Sequence, residues 1–121
     1  MKIFITGGAG YIGSHVVYEL CDAGHEVTIF DDLSLGREDN IDKRAKFVLG
    51  STLDSQQLNK ALNDKGFDAV IHLAAWKAAG ESMEKPEKYA LNNIVGSLNL
   101  LNAVNDASIK NFVFSSTAAV Y

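Results

Sequence analysis

The residues best suited to chemistry stand near the start of the chain. Gly7, Gly8, Gly10 and Gly13 cluster within Thr6-Gly7-Gly8-Ala9-Gly10-Tyr11-Ile12-Gly13. Glycines in such a turn leave the backbone open to close approach by a ligand. The main-chain N–H groups near Tyr11 and Ile12, at the start of a helix, would meet a pyrophosphate where the helix dipole favours anions. Gly13 would let that helix lie close to the sheet. The spacing fits G-x-G-x-x-G through Gly8, Gly10 and Gly13, and equally G-x-x-G-x-x-G through Gly7, Gly10 and Gly13. A glycine turn alone can serve merely to reverse the chain. Asp31 makes it more specific, because it follows at about the 20-residue distance that the dinucleotide pattern requires. A carboxylate there accepts hydrogen bonds from an adenosine ribose and repels a 2′-phosphate, which favours NAD over NADP. Asp32 stays open between a ligand contact and a loop acid bonded to its own backbone. Arg37 could pair with a 2′-phosphate but lies well into the next loop.

Positioning these groups requires a strand before the turn and a helix after it, and the hydropathy pattern supplies both. Lys2 to Thr6 reads as a strand, and Ile12, Val16, Leu20 and Cys21 then recur at helical spacing, with Gly24 placed to end the helix. Glu26 to Phe30 is a second strand, stopped by Asp31-Asp32. Residues 33–44 are polar and aperiodic, a loop. Lys46 to Leu49 is a third strand, followed by a helix beginning near Asp54 with Leu58, Ala61 and Leu62. Asp68 to Leu73 is a fourth strand. Pro86 opens a long helix carrying Tyr89, Leu91, Val95, Leu98, Leu101 and Val104. Asn111 to Ser115 is a fifth strand. The alternation predicts an α/β, Rossmann-type, doubly wound parallel sheet of order 3-2-1-4-5, with a crevice between strands 1 and 4. Residues 1–121 form one NAD-binding domain.

Composition narrows the partners. A net charge of −4 and the lack of any basic run argue against nucleic acid and anionic membranes. No apolar stretch approaches bilayer length. The single cysteine, Cys21, cannot form an internal disulfide, and a cytoplasmic location is the default. Cys21 falls on the apolar face of the first helix, where a buried, inert thiol is expected. His15, His25 and His72 have no partners at metal-ligand spacing, so no metal site is expected. His72 reads as a hydrogen-bonded core histidine.

Four segments resemble the extended short-chain dehydrogenase/reductase family, and within it the UDP-glucose 4-epimerases. They are Thr6–Gly13; Asp31-Asp32-Leu33-Ser34; His72-Leu73-Ala74-Ala75-Trp76-Lys77-Ala78-Ala79-Gly80-Glu81-Ser82 with Pro86 and Asn92-Asn93; and Ser115-Ser116-Thr117-Ala118-Ala119-Val120-Tyr121. The resemblance implies a cofactor-binding set of Gly7, Gly10, Tyr11, Ile12, Gly13, Asp31, Asp32, Ser34, Ser51, Thr52, Leu73, Ala74, Ala75, Lys77, Asn92, Ser115 and Ser116. Lys77 would reach phosphate or ribose hydroxyls. Asn92 would lie near the nicotinamide, or else be an interior amide satisfied by the neighbouring loop. Thr117 would be the catalytic hydroxyl that holds the sugar's 4-hydroxyl beside a tyrosine. Two departures concern the adenosine end. Gly50-Ser51-Thr52 stands where the family has a Gly-Asp pair, so Ser51 could meet the purine edge only without charge, and Leu35 replaces a polar residue.

The implied activity of the full-length enzyme interconverts UDP-glucose and UDP-galactose through a 4-keto sugar, with NAD as cofactor. It implies a UDP-sugar as substrate and admits a homodimer. The family's Tyr-x-x-x-Lys pair is absent, and Tyr11, Tyr18, Tyr89 and Tyr121 do not supply it. The expectation is therefore an inactive piece that stops short of that tyrosine and of the C-terminal substrate domain, with a tendency to self-associate. Other readings remain open: a dehydratase or decarboxylase acting on another sugar nucleotide, or a nucleotide-binding module without catalysis.

Overall fold

The computed structural model describes residues 1–33, 38–63, 65–73 and 86–114, the side chains of 86–92 excepted. The elements are β1 (Lys2–Thr6), α1 (Tyr11–Asp22), β2 (Glu26–Asp31), a 3-10 turn at Glu38–Asn40, β3 (Lys46–Leu49), α2 (Ser55–Leu62), β4 (Ala69–His72), α3 (Pro86–Asp106) and β5 (Asn111–Phe114). All strand pairs are parallel and the sheet order is β3-β2-β1-β4-β5, as the alternation of elements predicts.

Strand pleating divides the core in two. Ile3 and Ile5 of β1, with Val27 and Ile29 of β2, pack with Val17 of α1 on one face. Phe4 and Phe30 point to the other face and pack with Leu58 and Leu62 of α2 and Leu100, Ala103 and Val104 of α3. Burial on both faces explains why β1 and β2 are nearly continuous apolar runs rather than alternating ones. The outer strands β3 and β5 are largely exposed.

Local signals set most boundaries. Helix α1 ends in a turn at Gly24 (φ +89°), with the amides of Gly24 and His25 donating to the Cys21 and Leu20 carbonyls. Asp54 caps α2 by accepting from the Gln56 and Gln57 amides at 3.0 and 3.1 Å.

The structure differs from the sequence reading at three points. The loop over 33–44 contains the 3-10 turn Glu38–Asn40, too short to leave a periodic signature. The fourth strand is one residue shorter than expected at each end. In α3, Leu98 and Leu101 are exposed while Leu100, Ala103 and Val104 are buried. Apolar residues occur on several sides of this helix, so spacing alone does not select the face that packs. Gly96 is buried where α3 meets the loop after β3, with an added Cβ only 2.6 Å from Thr52 Oγ1. Cys21 is half-buried against the α1-side cluster, and burial pushes its thiol pKa up. Among the described residues, no helix is long and apolar enough to cross a membrane.

Candidate functional site

The glycine turn links β1 to α1 at the carboxyl edge of the sheet. Gly7 adopts φ +79°, a left-handed conformation that favours glycine. Its amide donates to the Phe30 carbonyl at 3.0 Å, and its carbonyl accepts from Gly10 at 3.2 Å. Gly13 is required by packing, because a Cβ there would lie 2.0 Å from the Gly7 carbonyl oxygen.

Gly10 is different. Its backbone (φ −76°, ψ 175°) suits any residue, and among the described residues an added Cβ would meet only the Gly7 oxygen, at an ordinary 3.5 Å. Nothing among the described residues requires a glycine at this point. As the N-cap of α1 it provides no side-chain cap, and no acid stands in the first turn. Helix α2, by contrast, is capped by Asp54. The uncapped mouth of α1 therefore fits an anionic group from outside the chain, such as a dinucleotide pyrophosphate. Tyr11 and Ile12, beside it, are both exposed, and the Tyr11 ring meets His15 edge-on at 4.9 Å.

Asp31 is buried at the end of β2 and binds the turn directly. One carboxylate oxygen accepts from the Ala9 amide at 3.0 Å and the other from the Leu33 amide at 2.7 Å. Each oxygen keeps a second lone pair, so the group can still accept from a ribose hydroxyl. Asp32 is exposed. Sequence reasoning missed Asn40, whose side-chain amide donates to the Ala9 carbonyl at 3.3 Å. Ala9 is thus held from both sides. No short-range signal marks Asn40, because only the tertiary path of the loop brings it to the turn.

The remaining described candidates hold structural bonds of their own. The Gly50 amide donates to the Asp31 carbonyl at 3.2 Å, which places Ser51 beside Asp31. The Ser51 hydroxyl oxygen accepts from the Leu53 amide at 3.1 Å, and its own amide donates to Gln57 at 2.9 Å. The Ser51 O–H remains as the group that could meet a purine. Thr52 faces α3, and its carbonyl accepts from Asn99 at 2.9 Å. The Leu73 amide is taken up by Thr6, at 2.9 Å to the carbonyl and 3.1 Å to the hydroxyl oxygen. Ser34, Ala74, Ala75, Lys77, Ser115, Ser116 and Thr117, and the side chain of Asn92, lie outside the described residues.

His72 locks β1 to β4 at the switch point. It is 3% exposed, with Nδ1 2.5 Å from Thr6 Oγ1 and Nε2 3.3 Å from Ser97 Oγ. It is a hydrogen-bonded core histidine, as the sequence suggests. A neutral ring has one donor and one acceptor, which suits two hydroxyl partners. Burial lowers its pKa to about 4. Unfolded histidine titrates near 6.5, so between these values the unfolded chain binds the extra proton. The contribution to stability is complete above about pH 6.5 and is lost as pH falls toward 4. At pH 5 the loss attributable to His72 should be about 2 kcal/mol. Urea unfolding at pH 7 and pH 5 checks this: His72→Gln should show a shallower pH dependence than the wild type, and equal slopes would acquit the histidine.

The comparisons with known proteins agree with this geometry. The chain is 47% identical to a UDP-glucose 4-epimerase of Lactobacillus helveticus over its full length, but spans only 37% of that relative. A crystal structure of a UDP-glucose 4-epimerase superposes with a TM-score of 0.93 at 45% identity, covering 100% of this chain and 37% of that one. The Thermus thermophilus UDP-glucose 4-epimerase, solved in complex with NAD, gives a TM-score of 0.91 at 35% identity, covering 97% of this chain and 38% of that one. Residues 3–121 match the NAD dependent epimerase/dehydratase family, and with the parallel sheet, the glycine turn and Asp31 in place, the chain belongs to it.

Proposed function

We propose that this chain is the NAD-binding portion of a UDP-glucose 4-epimerase. The whole enzyme would interconvert UDP-glucose and UDP-galactose through a 4-keto sugar. Gly10 is the observation that carries the cofactor reading: among the described residues nothing crowds this position and no side chain caps the helix, and an external ligand accounts for both. The NAD complex of the Thermus thermophilus relative supports the choice of cofactor, and the names of the relatives support the substrate. NAD, when bound, supplies the redox chemistry, and the protein's part is to hold and orient it. The amides after Gly10 hold the pyrophosphate, Asp31 the ribose, and Ser51 meets the adenine side. By family resemblance, Ala74, Ala75, Lys77, Asn92, Ser115 and Ser116 complete the contacts, and Thr117 positions the sugar's 4-hydroxyl. The chain contains no Tyr-x-x-x-Lys and is expected to bind cofactor without turnover. The full-length form would be a cytoplasmic homodimer, in keeping with the lone cysteine and the exposed Ile94, Leu98 and Leu101 of α3.

Gly10→Leu tests the reading. Its Cβ fits the protein while its side chain blocks the mouth of α1. The melting temperature should stay within a few degrees of the wild type, and NAD affinity by calorimetry should fall about 100-fold, or ~2.7 kcal/mol. NAD should also bind the wild type more tightly than NADP. A Gly10→Leu protein that binds NAD normally would remove the proposal's foundation.

A further inference from the structure

A trough of about 500 Å³ opens on the α2 side of the sheet, between that helix and edge strand β3, within the rough 300–1,000 Å³ range of ligand pockets. Its origin lies in how α2 packs. The helix directs Leu58 and Leu62 inward onto Phe4 and Phe30 and leaves the outer strand uncovered. The β2–β3 register pairs Thr28 with Lys46 and Phe30 with Val48, which places these four side chains on one face as the floor. Lys60 and Ala61 of α2 form the opposite wall, and Phe67 lines the trough as well.

The charge around this apolar floor runs against the rest of the chain. The sequence has 11 basic and 15 acidic residues, yet among the described residues Lys2, Lys46, Lys60 and Lys65 line the trough and no acidic residue does. Lys2 is partly engaged, with its ammonium 4.9 Å from the Phe67 ring centre and donating to the Lys65 carbonyl. A lysine on an exposed edge strand commonly serves to discourage strand pairing. That explains Lys46, and the last turn of α2 favours a cation at Lys60, but neither accounts for their meeting Lys65, from the turn after α2, around one trough.

We propose that the trough binds a small amphipathic organic anion, with an apolar body on Phe30, Val48 and Phe67 and an acidic group among Lys46, Lys60 and Lys65. None of Gly7, Gly10, Gly13 or Asp31 lines it, so the site is separate from the dinucleotide reading and does not depend on it. Lysine ammonium groups over an apolar floor suit a carboxylate or sulfonate carried on an aromatic or acyl body.

The test uses the aromatic sulfonate 8-anilinonaphthalene-1-sulfonate as a fluorescent probe and dodecanoate as competitor, on the full chain first without NAD and then with NAD added. Binding should be saturable at one equivalent and reversed by dodecanoate. The double variant Lys46→Gln, Lys60→Gln should weaken it about tenfold, equivalent to about 1.4 kcal/mol. Val48→Glu, which puts a carboxylate on the floor, should weaken it further while the circular dichroism spectrum stays that of the wild type. The inference is overturned if no saturable binding occurs, if NAD displaces the probe, or if both variants bind as the wild type does, which would place the probe on the exposed apolar residues of α3.

Discussion

Replacing Gly13 by alanine should both destabilise the protein and abolish measurable NAD binding at millimolar cofactor. In an ordinary helix interior this change favours the fold by about 1 kcal/mol. Here the new methyl would sit 2.0 Å from the Gly7 carbonyl oxygen and 2.9 Å from the Gly8 Cα. These are backbone atoms and cannot rotate away, so α1 must withdraw from the turn. Overpacking of this kind costs about 1–3 kcal/mol, and the overlap is at the severe end, so a net loss of about 2 kcal/mol is expected after the helix gain. Withdrawal of α1 would also move the amides after Gly10 away from the proposed pyrophosphate position. Denaturant unfolding and calorimetry together distinguish this variant from Gly10→Leu, which should lose binding but keep stability. A Gly13→Ala protein with wild-type stability would mean that helix and turn are not in the close contact described.

Asp31→Ala should have the second largest effect, divided between stability and cofactor choice. The carboxylate is buried and accepts from two amides. Its removal leaves the Ala9 and Leu33 N–H groups without that acceptor, and an unsatisfied buried donor costs about 1–3 kcal/mol. A loss of about 2–4 kcal/mol is therefore expected. NAD affinity should fall at least tenfold, while NADP loses less because the charge opposing its 2′-phosphate is gone. The ratio of the two affinities is the informative readout, since general loosening would lower both alike. An unchanged ratio would confine Asp31 to its structural bonds.

What could be read from the residues and what could not follows the range of the interactions. The glycine turn, the Asp54 cap and the stop at Gly24 are short-range devices, and their spacing in the sequence is their geometry. The sheet order follows from alternating elements and the handedness of parallel crossovers. Asn40 and Ser97 act only after the chain has folded, on Ala9 and His72, so no local pattern announces them. The packed face of α3 was illegible for another reason: apolar residues occur on several of its sides, and contact with Thr52 helps settle which side turns inward. Ser51 illustrates the intermediate case. Its position after β3 was visible, but not that its hydroxyl oxygen would close a local turn with Leu53.

Asp31 also bears on how this site could change its cofactor over evolutionary time. On the proposed reading one side chain would both discriminate against a phosphorylated ribose and fasten the turn through the Ala9 and Leu33 amides. A lineage drifting toward the phosphorylated coenzyme could not simply discard the acid, since the loop would slacken before the new preference gave any benefit. A replacement tether for Ala9 would have to arise first, and Asn40, already on its carbonyl, is the nearest foothold for one.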